Sequence, residues 1–342
     1  MDKEQWTLMS LWNDALDAQA PRIYEPRERL WASELYGSDI DIVLKLRGEQ
    51  PTNPPDARAL RKMEAGNMVE DFVDSVLRRA GILKSTQDRI TFNQDGLLEV
   101  SGKIDFLAGG IPDEAMIDKM IAELPPEESF RKRLIMKLKE RMIGRNLETK
   151  IIEIKSAALF TFNKVEATGR PLRGHGLQAY HYARNGKMEA AIVYICRDDL
   201  RMIEIPVFPY MEELEDQYLS KIKRITDFYK SGELPPIEPL TEYDAETGKF
   251  STNFKVQYSG YLTKLYGFNH PEEYGGPKGL WSKKVKSWNS VLKRIACDKP
   301  MTASNQEYLK EIESLGYDLD FITRNVKELY AKGQVPEDEA EE

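Results

Sequence analysis

The hydrophobic pattern between residues 56 and 210 predicts an alternation of helices and strands. Apolar residues recur every three or four positions over 56–80, which predicts an amphipathic helix that stops at Gly81, and a second helix is predicted over 176–185. Runs of apolar and alternating residues predict five strands, over 88–93, 97–107, 150–157, 189–196 and 201–207. The order of helix, three strands, helix and two strands predicts an α/β fold with helices packed on a sheet.

The regions around this core predict further domains. Residues 1–55 are expected to form an N-terminal helical arm, and residues 211–342 a mainly helical region that ends in an acidic tail. Within the core of residues 56–210, a helical insertion over 111–147 is acidic in its first half and basic in its second. Two interpretations stay open for this insertion, a solvated helical hairpin with internal ion pairs or a basic arm beside a polyanion.

Composition narrows the class of protein. The 342 residues are 41% hydrophobic and 31% charged, so a packed core is expected and wholesale disorder is excluded. The net charge of −8 excludes a globally basic coat but leaves room for a local basic groove. No apolar run is long enough to span a bilayer, and the N-terminus lacks the pattern of a signal peptide. Two cysteines exclude a four-thiolate site within this chain, and a reduced, cytoplasmic setting is the simplest expectation.

Two strands carry candidate chemistry. Asp105 is a carboxylate within the apolar strand 97–107, and it shares a face with Lys103. In the strand 150–157, Glu153 and Lys155 share a face while Ile152 and Ile154 point the other way. Each observation has a plainer alternative, an edge-strand aspartate in water for the first and a cross-strand ion pair on a solvated face for the second.

The two helices add polar residues to this set. Gln178 and Tyr182 are four residues apart and therefore occupy one face of the helix 176–185. Glu70 flanks the apolar stripe of the helix 56–80, and Gly66 lies one turn earlier, where the missing side chain is expected to permit close approach. The alternatives are an ordinary core tyrosine and a boundary glutamate in water.

Carboxylates that converge on one sheet edge suit a hard divalent cation, which prefers oxygen ligands. Asp105 and Glu153, with the Ile154 carbonyl and with Glu70, are predicted to hold one or two Mg²⁺ or Mn²⁺ ions. Such an ion polarises a phosphoryl oxygen and lowers the pKa of a bound water. Lys155 has no lone pair to offer a metal, so its predicted role is to position the water or to offset charge in the transition state.

The motifs G-K-I-D (102–105), E-I-K (153–155) and Q-x-x-x-Y (178–182), in this order after the helix with Gly66 and Glu70, resemble the PD-(D/E)XK nuclease superfamily. Within it the chain is similar to the RecB-like exonuclease branch of phage and CRISPR-adaptation nucleases, over about residues 56–206. The resemblance implies a restriction-endonuclease-like core, a mixed sheet flanked by helices. It also implies that Asp105 and Glu153 bind metal, that Lys155 is catalytic, and that Gln178 and Tyr182 place the DNA and the active site.

The chain departs from this branch at two places. Many relatives have a histidine where Glu70 stands, and several carry a four-cysteine iron–sulfur cluster. This chain has Val256 and Ser259 where thiols of that cluster stand in relatives, so no iron–sulfur cluster is expected.

The resemblance implies a metal-dependent DNA exonuclease that acts in DNA recombination, DNA repair or phage DNA processing. A structure- or sequence-specific endonuclease and a non-catalytic DNA-binding or assembly protein are the alternatives. DNA is the expected partner, no membrane is expected, and a protein partner or a homo-oligomer stays open.

Two basic segments are candidates for contacts with DNA. The segment 162–176 is read as a loop, and its polar residues Lys164, Arg170, Arg173 and His175 are expected to meet the phosphate backbone, the alternative being a flexible surface loop. A second segment, 278–294, mixes lysines with Trp281 and Trp288, as single-strand binders do, or forms an amphipathic helix with a basic face.

Overall fold

The computed structural model describes residues 23–268 and 280–333, together with Thr7, Trp12 and Ala15. The part of the predicted N-terminal arm up to residue 22, apart from these three residues, and the acidic tail therefore lie outside the described residues. The chain divides into two units, and the first comprises the residues up to 235 apart from 51–54, which belong to the second unit. This division differs from the predicted boundaries at 55 and 210, because the helix after residue 210 packs its apolar face on the core of the first unit.

A five-stranded mixed sheet forms the centre of the first unit, in the order β2-β5-β6-β7-β8. The pair β6 and β7 is parallel, and the other neighbours are antiparallel. Its strands are β2 (Leu83–Thr86), β5 (Phe106–Gly110), β6 (Leu147–Ala157), β7 (Ala190–Cys196) and β8 (Met202–Val207). A smaller three-stranded sheet has the order β1-β4-β3, from β1 (Arg29–Trp31), β3 (Arg89–Phe92) and β4 (Glu99–Lys103).

The helices of the first unit cover both faces of the central sheet. They are α1 (Asp39–Leu46), α2 (Ala57–Arg79), α3 (Glu114–Glu123), α4 (Ser129–Met142), α5 (Leu159–Thr168), α6 (Arg173–Gly186) and α7 (Glu212–Ser231). On one face, Ile151, Ile192 and Tyr194 pack with Tyr180 of α6 and Ile222 of α7. On the other face, the residues between them in the strands, Ile152, Ile154 and Ile195, pack with Leu77 of α2. The predicted class, a mixed sheet flanked by helices with a helical C-terminal region, is confirmed.

The start and the end of α2 follow from its sequence. Two prolines precede Asp56, whose carboxylate caps the helix by accepting the N–H of Ala59 at 2.6 Å. After the helix, Gly81 adopts φ +70°, a conformation that favours glycine, and so ends it as predicted. The cap and the stop fix where α2 crosses the sheet, and they place Gly66 next to Ser156 of β6.

The segment 97–107 is not one strand, contrary to the prediction. It pairs as β4 with β1 and β3, leaves that sheet at Ile104 and Asp105, and then pairs as β5 with β2 and β6. Ile104 donates its N–H to the Asp88 carbonyl and is buried in the core. Asp105 thus stands at the junction of the two sheets, outside both ladders.

The insertion over 111–147 is a helical hairpin of α3 and α4. Lys139 of α4 forms ion pairs with Asp118 at 2.6 Å and with Glu114 at 3.7 Å, both on α3. The predicted hairpin with internal ion pairs is therefore what forms. Within the described part of the chain, no helix combines the length and the apolar character that crossing a bilayer requires.

The second unit contains a β-hairpin that the sequence reading missed, β9 (Thr241–Asp244) with β10 (Lys249–Thr252). Its helices are α8 (Phe254–Gln257), α9 (Leu262–Tyr266), α10 (Leu280–Ala296), α11 (Ala303–Ser314) and α12 (Leu319–Ala331). Trp288 is fully buried among Phe250, Leu292 and Ile322, and Trp281 packs at the edge of this cluster. Trp288 therefore serves as core and is not free to stack on a base, which favours the amphipathic-helix interpretation.

Candidate active site

Asp105 is tied to the neighbouring strand by one hydrogen bond. Its Oδ2 accepts the backbone N–H of Ile154 on β6 at 2.7 Å. The pairing of β5 with β6 begins at Phe106 and Ile152, one residue after Asp105. The Ile154 amide therefore has no backbone partner on β5, and it donates to the Asp105 side chain instead. The sheet junction thus sets the Asp105 carboxylate beside the Glu-Ile-Lys segment, although the two are 49 residues apart in sequence.

Glu153 and Lys155 lie on the face of β6 that α6 covers, as the alternation predicts. The Lys155 ammonium donates to Oε1 of Glu153 at 2.6 Å and to Oε1 of Gln178 at 3.1 Å. The Gln178 amide donates to the same Glu153 oxygen at 2.7 Å. Gln178 therefore holds the acid and the cation in one arrangement, with both ends of its own amide in use.

Tyr182, one turn after Gln178, completes a chain of hydrogen bonds across the site. Its hydroxyl accepts from the Gln178 amide at 3.2 Å and donates to the Lys103 carbonyl at 2.9 Å. The ring passes over Gly102, where a Cβ atom would lie only 2.6 Å from a ring carbon and 2.8 Å from the hydroxyl. The glycine of the G-K-I-D motif is therefore required so that the tyrosine can reach the end of β4.

Burial of the acids leaves one oxygen without a partner. Glu153 is 2% exposed, and its Oε2 is buried with no hydrogen-bond donor. Burial raises the pKa of Glu153 to about 8, Lys155 opposes this rise, and Asp105 and Glu70 add to it. Burial likewise raises the pKa of Asp105, against the hydrogen bond from Ile154. A buried carboxylate oxygen that lacks a donor needs an explanation, and a bound cation is one that chemistry offers.

Glu70 reaches the same cluster from α2. Its pKa is raised to about 7, first by burial and then by repulsion from Asp105, while Lys155 lowers it. Glu70 therefore lies close enough to Asp105 and Glu153 for their charges to interact, and its role as a metal ligand stays a prediction. Gly66 behaves differently from the prediction, since a Cβ there would make only an ordinary contact of 3.7 Å with the Ser156 hydroxyl.

The carboxylate oxygens of the cluster are the type of ligand that a hard divalent cation prefers, but they are not close enough together to form a complete metal site. Among the described residues, no three side chains of histidine, cysteine, aspartate or glutamate are grouped closely enough to hold an ion. The donors that do fit are the unpartnered Glu153 oxygen, the second oxygen of Asp105, and Glu70 on its longer side chain. The contribution of the Ile154 carbonyl stays a prediction.

The segment 162–176 is not a loop. Helix α5 extends to Thr168 and α6 begins at Arg173, so only four residues join them. Gly169 ends α5 with φ +59°, so the connection between the two helices is a short turn and the predicted loop is wrong. Lys164 is exposed on α5, Arg170 is exposed in the connection, and Arg173 is exposed in the first turn of α6.

His175 is set apart from these exposed cations. Its Nδ1 lies 2.8 Å from the Tyr194 hydroxyl, which itself accepts the Leu172 N–H. This hydrogen bond holds the imidazole beside Tyr194. Burial, together with the Lys155 charge, lowers the pKa of His175 to about 3. Tyr194 was missed because it stands in a run of apolar strand residues that gives no sign of a polar role.

Comparisons with known proteins give only distant likenesses. No protein-family model matches the chain, and no curated protein matches it. The crystal structure of SSO0001 resembles it with a TM-score of 0.37 at 14% identity, over 69% of this chain and 92% of that one. An alkaline exonuclease from Laribacter hongkongensis (LHK-Exo) has a TM-score of 0.35 at 14% identity, over 65% and 97% of the two chains. The same exonuclease in complex with dAMP has a TM-score of 0.37 at 12% identity, over 60% and 89%. Likeness at this level does not by itself establish a shared fold or activity.

Proposed function

We propose that this protein is a divalent-metal-dependent DNA nuclease that acts as an exonuclease, in DNA recombination, DNA repair or phage DNA processing. The observation that carries the proposal is the arrangement of Asp105, Glu153 and Lys155. Two carboxylates from adjacent strands flank one backbone amide, and a lysine is hydrogen-bonded to the buried one. The resemblance of the three motifs to RecB-like exonucleases supplies the substrate class, DNA.

Each residue of the cluster has a role in this proposal. Asp105 and Glu153 would hold the ion, assisted by Glu70 and the Ile154 carbonyl. A bound Mg²⁺ or Mn²⁺ supplies charge that polarises a phosphoryl oxygen and acidifies a coordinated water. Lys155 offsets the negative charge that develops on the phosphate, because its ammonium is already fixed by Glu153 and Gln178.

Gln178 and Tyr182 act as positioning residues. Gln178 leaves Glu153 Oε1 saturated with two donors, so that Oε2 is the oxygen free to bind a cation. Tyr182 fixes Gln178 against the Lys103 carbonyl, two residues before Asp105. Arg170 and Arg173 are proposed to contact the phosphate backbone outside the cluster, since both side chains are exposed near the start of α6.

The experiment that tests the proposal uses end-labelled single- and double-stranded linear DNA and a covalently closed circular DNA. In Mg²⁺ or Mn²⁺ we expect release of nucleotides from linear DNA, no release in EDTA, and an intact circle. Cleavage of the circle would identify an endonuclease instead. Binding of DNA without hydrolysis under any metal condition would identify a non-catalytic DNA-binding protein.

A further inference from the structure

A cavity of about 320 Å³ lies between α2 and α4. Its apolar lining comes from Val76 on α2 and from Leu134, Ile135 and Leu138 on α4. The sheet-facing side of α2 packs Val69, Val73 and Leu77 into the core, so the cavity is separate from the acidic cluster that Glu70 joins. Its volume is at the lower end of the range for ligand pockets, about 300–1,000 Å³.

Three cations surround this apolar floor. Arg79 is fixed by hydrogen bonds from its guanidinium to the carbonyl and the hydroxyl of Ser75. Lys137 and Arg141 complete the lining, and within the described ranges neither forms an ion pair. Lys139, on the opposite side of the same helix, is by contrast neutralised by α3. The groove therefore keeps unneutralised positive charge in a protein whose net charge is −8.

The apolar surface continues beyond the cavity along both helices. Phe72 precedes Val76 by one turn of α2 and is 53% exposed, and Phe130 precedes Leu134 by one turn of α4 and is 73% exposed. Large apolar side chains that remain exposed next to one another mark interaction sites in soluble proteins. A ligand that covers Phe72 and Phe130 as well as the cavity has to be longer than a small molecule that fills the cavity alone.

We propose that this groove docks an acidic peptide segment of a partner protein, with apolar side chains seated between α2 and α4. Carboxylates of the peptide pair with Lys137, Arg141 and Arg79, and the apolar side chains fill the cavity over Val76 and Leu134. Helical grooves recognise amphipathic peptides in this way, with apolar anchors for affinity and rim charges for orientation. A polynucleotide fits the floor poorly, because it gains from phosphate contacts and has no aliphatic side chains to bury.

The probe is a fluorescein-labelled acidic peptide that carries two leucines and one phenylalanine, and its binding to the full chain is followed by fluorescence anisotropy in EDTA. Two comparison peptides replace the apolar residues by serine or the acidic residues by their amides. We expect the first peptide to bind and both comparison peptides to bind at least about fivefold more weakly. Because EDTA removes divalent ions, the result is independent of nuclease activity.

Matched variants on α4 locate the binding. Arg141→Glu is expected to weaken the complex about fivefold to tenfold, whereas Arg133→Glu, an identical charge change at a residue of α4 outside the cavity lining, leaves it within about twofold. Leu134→Ser is expected to weaken it as well, and Met136→Ser, also outside the lining, is its control. Thermal unfolding of each variant checks that the helices stay folded.

Three results would overturn the proposal. The first is no binding of the acidic apolar peptide. The second is equal binding of the serine peptide or an equal effect of Arg133→Glu, since either reduces the interaction to general charge. The third is displacement of the peptide by a short DNA oligonucleotide whose own binding Arg141→Glu weakens, which would make the groove a nucleic-acid surface.

Discussion

The two sides of α6 carry buried polar groups that differ in how completely they are hydrogen-bonded. Toward α7, the His181 ring donates from Nε2 to the Ile90 carbonyl at 3.1 Å and accepts at Nδ1 from the Tyr218 hydroxyl at 2.8 Å. Arg184 holds Glu215 with two hydrogen bonds of 2.7 and 2.8 Å. Toward β6, Gln178 and Tyr182 are equally engaged, but the Glu153 they hold has a buried oxygen with no donor.

This contrast is what the proposed function rests on. The α7 side has its polar atoms hydrogen-bonded, which stabilises packing. The β6 side gathers acids whose pKa values are raised by burial and by one another, an arrangement that a bound cation would stabilise. The two polar clusters on one helix therefore differ in one unsatisfied carboxylate oxygen.

The largest expected effect comes from removing the lysine of the β6 side. Lys155→Ala is expected to lower nuclease activity about 1,000-fold, about 4 kcal/mol of transition-state stabilisation, because it removes the cationic side chain that Glu153 and Gln178 hold within the cluster. Release of labelled nucleotides in Mg²⁺ measures it, with near-ultraviolet circular dichroism as the check on folding. Lys164→Ala, an exposed cation on α5, is the control, and wild-type digestion by Lys155→Ala would contradict the assignment.

The α7 side is expected to respond to pH through stability. Burial lowers the pKa of His181 from 6.5 to about 4, with Arg184 adding to the decrease. The unfolded chain therefore binds the proton first, so the contribution of a neutral His181 is complete above pH 6.5 and is lost as pH falls toward 4. The loss amounts to about 3 kcal/mol.

Denaturant unfolding of the wild type and of His181→Gln over this pH range measures that contribution. The difference between the two free energies of unfolding should shrink as pH falls, which removes the effect of His175 and of the acids from the comparison. A difference that stays constant with pH would mean that folding does not shift the pKa of His181.

The next effect concerns Gly102, which lies against the Tyr182 ring. Gly102→Ala is expected to destabilise the fold by about 2 kcal/mol and to reduce activity, because the new Cβ collides with the Tyr182 ring at the end of β4. Thermal unfolding and nucleotide release measure both effects. Unchanged activity would show that the Tyr182 contact with the Lys103 carbonyl is dispensable.

The smallest effect is a gain. Gly66→Ala is expected to stabilise the fold by about 0.5–1 kcal/mol, because α2 has room for the methyl group beside Ser156 and alanine favours a helix over glycine. Thermal unfolding measures the gain, and activity should not change. A loss of activity would indicate that substrate, and not the sheet, needs the space at Gly66.

Much of the core followed from periodicity. The apolar stripe of Val69, Val73 and Leu77 predicted α2, and the alternation predicted that Glu153 and Lys155 share one face of their strand and Ile152 and Ile154 the other. These predictions succeeded because each rests on one element that packs one face against the core. The proximity of Asp105, Glu153 and Lys155 was expected from the motifs, and their coordinates agree with it.

The parts that escaped prediction depend on partners distant in sequence. The break at Ile104 and Asp105 leaves the alternation intact, so only the pairing with β3 on one side and β6 on the other reveals it. Strand β1 has three residues and gains its identity from pairing with β4, which is too short a pattern to read alone. Whether a glycine is crowded depends on its neighbours in space, which is why the prediction for Gly66 was wrong.

The chain passes from one sheet to the other at Asp105. The position of the Asp105 carboxylate therefore depends on the length of the link between β4 and β5 more strongly than the stability of the two sheets does. Each sheet keeps its own register, β4 against β3 and β5 against β6. One extra residue inserted between Asp105 and Phe106 would leave both registers in place and yet turn the carboxylate away from the Ile154 amide. Under the proposed function, such an insertion is expected to keep a stable scaffold and to abolish hydrolysis.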